Sequence, residues 1–213
     1  MNDPGKGLFI TFEGTEGVGK STAITLVSDY LSSRGIRHQV TREPGGTPLA
    51  EEIRNLLLAP REEAVDPTTE LLLMFAARAQ HLAGLIRPSL ERGEWVLCDR
   101  FTDATYAYQG GGRNLDAEPV AVLEQLVQGE LRPDRVLWLD APVAKGMERV
   151  TSRGKGRDRF ENERARFFER VRAVYRERAE AHPGTYRRID ASRPLEEVEL
   201  ALRAEMDSLI DRS

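Results

Sequence analysis

Gly14-Thr15-Glu16-Gly17-Val18-Gly19-Lys20-Ser21 carries the spacing G-x-x-x-x-G-K-[ST], and each residue type in it has a task in holding a polyphosphate. Glycines let successive backbone N–H groups turn inward around phosphate oxygens, Lys20 reaches the β- and γ-phosphates, and the Ser21 hydroxyl is a ligand for Mg²⁺. A loop of this kind says that a nucleoside triphosphate binds and leaves the reaction open. Guanine-specific switches add an N-K-x-D reader, and none of Asn2, Asn55, Asn114 or Asn162 is followed by lysine. Two aspartates stand at the ends of apolar runs, Asp99 before Arg100 and Asp140 before Ala-Pro. Asp99 is the expected second Mg²⁺ ligand and Asp140 a structural carboxylate.

The elements that must position these groups alternate along the chain. Leu8 to Thr11 reads as a buried strand running into the glycine turn, and Ile24, Val27 and Leu31 recur at helical spacing before Gly35. A second strand is expected near Arg37 to Thr41, then a helix capped by Thr47 and ending about Leu58. Asp66-Pro67 opens a long helix to Glu91 that is apolar on most sides. Trp95 to Cys98 and Arg135 to Leu139 read as strands buried on two faces, followed by helices over Asp116 to Gln128 and Pro142 to Val150; a last strand, Tyr186 to Ile189, precedes a helix from Pro194 to Ile210. Strand–helix alternation with right-handed crossovers predicts an α/β fold of three layers, a parallel sheet of about five strands with helices on both faces. The expected organisation is one domain over 1–213, with a short lid about 149–161 where two glycines sit among cations.

Composition narrows the partners. With 31 Lys+Arg against 35 Asp+Glu the net charge is -4, so no broad basic surface is available for a nucleic acid polymer. The cations are 4 Lys and 27 Arg, a bias toward the planar fork that suits phosphate. No stretch is long and apolar enough to span a membrane, and the single cysteine, Cys98, makes no internal disulfide, so a cytoplasmic setting is expected. Cys98 reads as a core thiol, His81 and His182 as ordinary helix residues, and the arginines between Arg149 and Arg178 mostly as helix ion pairs with Glu161, Glu163, Glu169 and Glu177.

Arg42-Glu-Pro-Gly-Gly-Thr47 follows the second strand, and Asp99 to Arg113 the third. Strand ends of a parallel sheet gather at one crevice, so Arg42 and Arg100 suit a second, phosphorylated ligand. Five blocks, Phe12 to Ser21, Thr41 to Thr47, Asp99-Arg-Phe with Ala107 to Arg113, the Gly/Arg segment Ser152 to Arg157, and Asp158-Arg-Phe-Glu161, resemble the bacterial thymidylate kinases, a P-loop nucleoside monophosphate kinase family, over nearly the whole chain. The resemblance implies transfer of the γ-phosphoryl of ATP to dTMP with Mg²⁺ as cofactor, and a homodimer formed by helices flanking the long apolar one. It implies that Lys20, Asp99, Arg153 and Arg157 are catalytic, the two lid arginines completing the γ-phosphate site. Arg42 and Arg100 would hold the acceptor phosphate, Glu16 the sugar 3′-hydroxyl, and Arg78 and Thr105 the base edge. Pro44 would lie against the base, Tyr108 would crowd the 2′ position, and Gln109 completes the substrate site. Where many relatives stack a phenylalanine on the base, this chain has Met74 with Phe75 beside it, and Phe75 is the favoured contact; Ala104 replaces a serine of some relatives. Alternatives are another pyrimidine monophosphate kinase and an ATP-gated binding module.

Overall fold

Five strands, β1 (Phe9–Glu13), β2 (His38–Arg42), β3 (Trp95–Asp99), β4 (Arg135–Asp140) and β5 (Tyr186–Asp190), form one sheet in the order β2-β3-β1-β4-β5, every pair parallel. The computed structural model describes residues 7–151 and 160–211. All residues of β1 and β4 are buried, as expected of inner parallel strands covered on both faces, whereas the edge strand β2 is exposed at three of its five residues.

Alternation along the strands sorts the core. Ile10, Phe12, Leu97, Leu137 and Leu139 face one layer, helices α1 (Lys20–Ser33) and α9 (Leu195–Ile210), through Val27, Leu31, Leu202 and Met206. On the other face Phe9, Val96 and Cys98 pack against Leu82, Ile86 and Leu90, while Val136 and Trp138 pack against Val171 and Tyr175 of α8 (Phe160–Ala181). Burying about 100 Å² of apolar surface contributes roughly 2.5 kcal/mol, so these two layers, not the loops, set the positions of the strand ends.

Helix α2 (Pro48–Leu58) starts where expected, Thr47 Oγ1 accepting from Ala50 N, and Asp66 caps α3 (Pro67–His81) by accepting from Thr68 N and Thr69 N. The long helix continues through a π-helical turn, Leu82–Ile86, into α4 (Arg87–Glu91). Pro88 has no N–H to give to the turn before it, and the widened turn absorbs that loss. After β3 the chain forms a short helix α5 (Thr102–Thr105) and a π-helical turn Tyr106–Gly112, which the run of glycines 110–112 did not suggest from sequence. The glycines serve a close approach: a Cβ on Gly112 would stand 2.4 Å from the Phe167 ring, so α8 packs directly on this turn. Helices α6 (Ala117–Gln128) and α7 (Val143–Thr151) complete the layers.

One expectation about α8 is corrected. Among the described arginines, Arg172 and Arg178 reach off the helix to the buried Asp140 and Asp103, and Arg170 donates to the carbonyls of Gly111 and Gly112. They tie α8 to the end of β4, to α5 and to the turn Tyr106–Gly112 instead of pairing along the helix surface.

Candidate functional site

The donor side grows out of β1. Gly14, Gly17 and Gly19 hold φ of 137°, 75° and 97°, which turn the loop between β1 and α1 back on itself. Helix α1 has no side-chain N-cap and no acid in its first turn, leaving its positive end for an anion. Lys20 Nζ rests on the carbonyls of Gly14 and Thr15 at 3.1 and 3.0 Å. Burial, and next the charge of Arg100, bring Lys20 down to about 7, so its ammonium is under-compensated until a negative group arrives.

A cavity of about 670 Å³ opens over this loop, lined by Glu16, Gly17, Val18, Gly19, Lys20, Ser21, Asp99 and Arg100. Asp99 Oδ1 is buried without a hydrogen-bond partner among the described residues, while Asp140 is fully engaged by Arg172 and Arg188 at 2.6 to 3.2 Å. Against the cost of burial, those two arginines hold Asp140 below its ordinary carboxyl value. Asp99 and Ser21 line the same cavity, and a carboxylate beside a hydroxyl is a donor set that fits Mg²⁺, which takes few protein ligands and keeps waters and phosphates for the rest. Arg149 and Arg193 also line this cavity and were not singled out from sequence. Arg149 spans the carbonyls of Gly17 and Ala191, each at 3.4 Å. Arg193 follows the C-terminal end of β5, where the strand-end rule points.

The residues expected on the acceptor side lie at the end of β2, on α3 and in the segment after β3. Arg100, at φ 69°, turns its guanidinium over the Tyr108 ring, 4.5 Å from the centroid, and lines the shared cavity. Tyr108 packs edge-on to Phe167 and Phe168, and its hydroxyl is buried without a hydrogen-bond partner among the described residues. Arg42 sits in register with Asp99 but is half-exposed and paired with Glu51 at 2.8 Å. Pro44, after a cis peptide bond, has its carbonyl held by Arg54. Arg78 and Thr105 meet, Nη2 donating to Oγ1 at 2.9 Å, and Arg78 Nε donates to Glu43 at 2.7 Å. Phe75 is buried with Leu71 and Val120 beneath the Arg78 guanidinium; Met74 is half-buried. Gln109 donates to Glu70. Arg153 and Arg157, with most of the expected lid, lie outside the described residues.

Two buried groups escaped the sequence reading. Glu13, fully buried, accepts from Phe101 N and Tyr175 Oη at 2.7 and 2.8 Å, and burial, with the Asp103 carboxylate nearby, pushes it up to about 8. His81 is not an ordinary helix residue: it is fully buried between Thr41 and Glu43. Cys98 is a core thiol as expected, its acidity suppressed by burial.

The sequence profile of the family described as thymidylate kinase matches residues 12–201. The chain belongs to the thymidylate kinase family. It is 57% identical over 205 residues to "Thymidylate kinase" of Pseudomonas savastanoi pv. phaseolicola, covering 96% of this chain and 97% of the relative. Against "Thymidylate kinase" of Teredinibacter turnerae it is 57% identical over 204 residues, 96% and 99% of the two chains. The crystal structure of thymidylate kinase from Ehrlichia chaffeensis superposes with a TM-score of 0.75 at 32% identity, covering 95% of this chain and 99% of that one. The chain is therefore a dTMP kinase that takes ATP as phosphoryl donor, and its α/β fold is that of the family. Among the described residues no helix of this kinase is long and apolar enough to cross a membrane.

Proposed function

We propose that dTMP phosphorylation in this kinase runs through the cavity shared by the phosphate loop and Arg100, as one domain over 1–213. The observation that carries this reading is the convergence of Lys20, Ser21, Asp99 and Arg100 on that one cavity. The acceptor phosphate has a second pKa of about 6, so near neutral pH it is mostly a dianion and needs no general base. Its oxygen forms the new bond to the γ-phosphorus while the bond to the β–γ bridging oxygen breaks, and ADP leaves with the electron pair. Catalysis is then positioning and charge neutralisation. Gly14 to Gly19 wrap the donor phosphates with backbone N–H groups, and Lys20 supplies the charge next to the transferred group. Ser21 and Asp99 would hold Mg²⁺, which when bound neutralises charge on the phosphate oxygens.

On the acceptor side Arg100, with Arg42, holds the dTMP phosphate, Glu16 meets the sugar 3′-hydroxyl, and Tyr108 fills the space a 2′-hydroxyl would need. Arg78 and Thr105 read the base edge, Pro44 and either Met74 or Phe75 cover the ring, and Gln109 closes the site. Arg153 and Arg157 complete the γ-phosphate site on the strength of the resemblance. The exposed apolar residues Leu58 on α2 and Val122 and Leu126 on α6, the helices that flank α3, support a homodimer through these helices, checked by sedimentation; a cytoplasmic location accords with the lone buried thiol. The deciding experiment is coupled-assay turnover on a panel of dTMP, dUMP and dCMP with ATP and Mg²⁺. Preference for dTMP is expected, and turnover of dCMP at the dTMP rate would contradict the acceptor-site assignment.

A further inference from the structure

Arg78 is held in more directions than a contact with the base requires. Its side chain is fully buried, with the guanidinium carbon 4.6 Å from the Phe75 ring centroid and 5.1 Å from that of Phe101. Nε is spent on Glu43 and Nη2 on Thr105, while Nη1 is buried without a partner among the described residues. Glu43, itself buried, is fixed from behind. Its Oε1 lies 3.1 Å from His81 Nδ1, and His81 Nε2 lies 2.7 Å from Thr41 Oγ1. The tautomer these partners favour has Nδ1–H donating to the carboxylate and Nε2 accepting the threonine hydroxyl. A Cβ at Gly46 would stand 2.3 Å from His81 Nε2 and 2.6 Å from Thr41 Oγ1, so the turn carrying Pro44 rests on the end of the same chain of contacts.

The line Thr41, His81, Glu43, Arg78, Thr105 thus joins β2, α3 and α5. As a source of stability it is poor, because the Coulomb gain of a buried ion pair is largely spent on desolvation. What it does is remove rotamer freedom from the arginine that keeps a spare donor. We propose that Glu43, braced by His81 and Thr41, is a positioning residue for acceptor selection: it fixes Arg78 so that Nη1 presents its N–H donors to the base edge. This rests on the reading of Arg78 as a base contact. A keto oxygen of a pyrimidine satisfies such an edge. An amino group at the same place sets donor against donor and leaves buried N–H groups unpaired, a penalty that shape alone does not provide.

The test is the ratio of kcat/KM for dTMP over dCMP in the intact enzyme. Glu43→Gln, which keeps the volume but loses the charge, should lower the ratio by about 10- to 100-fold, as small misplacements in a reading site do. KM for ATP should stay at the parent value. His81→Leu should lower the ratio as well, and His81→Asn, whose amide can take the place of Nδ1–H, should restore most of it. A general packing defect would not distinguish leucine from asparagine in this way. Arg78→Lys should collapse the ratio, and adding Glu43→Gln to it should change nothing further. If Arg78→Lys keeps the parent ratio, the base-contact reading fails and this proposal with it. If Arg78→Lys collapses the ratio while Glu43→Gln and His81→Leu leave it intact, only the positioning role is overturned. Should Glu43→Gln lose its cooperative unfolding transition, the His81 pair decides alone.

Discussion

On the proposed donor side the loop offers backbone amides from Gly14 to Gly19 and one lysine that leans on its own loop carbonyls, whereas on the proposed acceptor side Arg78 and Thr105 are buried side chains tied to one another and to Glu43 and His81 behind them. The first arrangement is written in eight contiguous residues and would serve any polyphosphate. The second draws Thr41, Arg78, His81 and Thr105 from β2, α3 and α5, with Glu43 just after β2, and on the proposed reading it serves a ligand whose edge completes it. On that reading generality comes from main chain, and selectivity from side chains that are expensive to disturb: breaking one partner of a buried ion pair costs about 3–5 kcal/mol.

The contrast can be broken most forcefully at Lys20. Lys20→Ala should lower turnover by about 10³-fold, the scale of removing one preorganised electrostatic group, with dTMP affinity nearly unchanged. A variant that keeps turnover within tenfold of the parent would mean that the loop amides alone carry the donor site. Next in size is Arg100→Ala, which should weaken dTMP binding by about 10- to 100-fold, the worth of a charge-assisted hydrogen bond, and thymidine binding hardly at all. Equal losses for the two ligands in calorimetry would place Arg100 in packing with Tyr108 and not on the phosphate. Tyr108→Ala sharpens the acceptor half: it should relax the preference for deoxyribose over ribose by about 1 to 3 kcal/mol, and Tyr108→Phe should leave it in place if the ring acts by bulk. An unchanged ratio of efficiencies would return Tyr108 to the core.

The smallest effect is on stability, at Glu13, which lies between the two halves. The unfolded chain releases this proton near 4.5, while the folded protein keeps it to about 8. The folded state therefore binds more protons across that window, and stability falls as pH rises through it. Glu13→Gln removes that slope while its amide can still accept from Phe101 N and donate to Tyr175. The difference in Tm, variant minus parent, should grow from about pH 5.5 to about pH 8.5. A difference that stays flat would show that Phe101 N and Tyr175 already hold Glu13 as a carboxylate at the lower pH.

Sequence was most informative where chemistry is local. The phosphate loop, the caps Thr47 and Asp66, and the buried strands ending in Asp99 and Asp140 depend on neighbours within a few residues, and each stands where the pattern placed it. The resemblance brought Arg78 and Thr105 to one pocket, yet nothing in the pattern pointed to Glu43 and His81 behind them. His81 was misread because its partners lie on β2, about forty positions earlier. Glu13 was missed for the same reason, since Tyr175 arrives from α8 at the far end of the chain. The turn Tyr106–Gly112 defeated propensity because its glycines answer to the approach of Phe167 and Val174, which no local signal encodes.

Lys20 and Arg100 line one cavity, and the proposal is direct transfer there between two nucleotides bound at once. It is tested most directly by the affinity of a bisubstrate nucleotide, adenosine and thymidine joined 5′ to 5′ through a polyphosphate, measured by calorimetry on the parent, Lys20→Ala and Arg100→Ala. The expected result is binding tighter than either ATP or dTMP alone, with a loss in both variants. Affinity no better than that of the tighter single nucleotide, or a loss confined to one variant, would contradict a shared cavity.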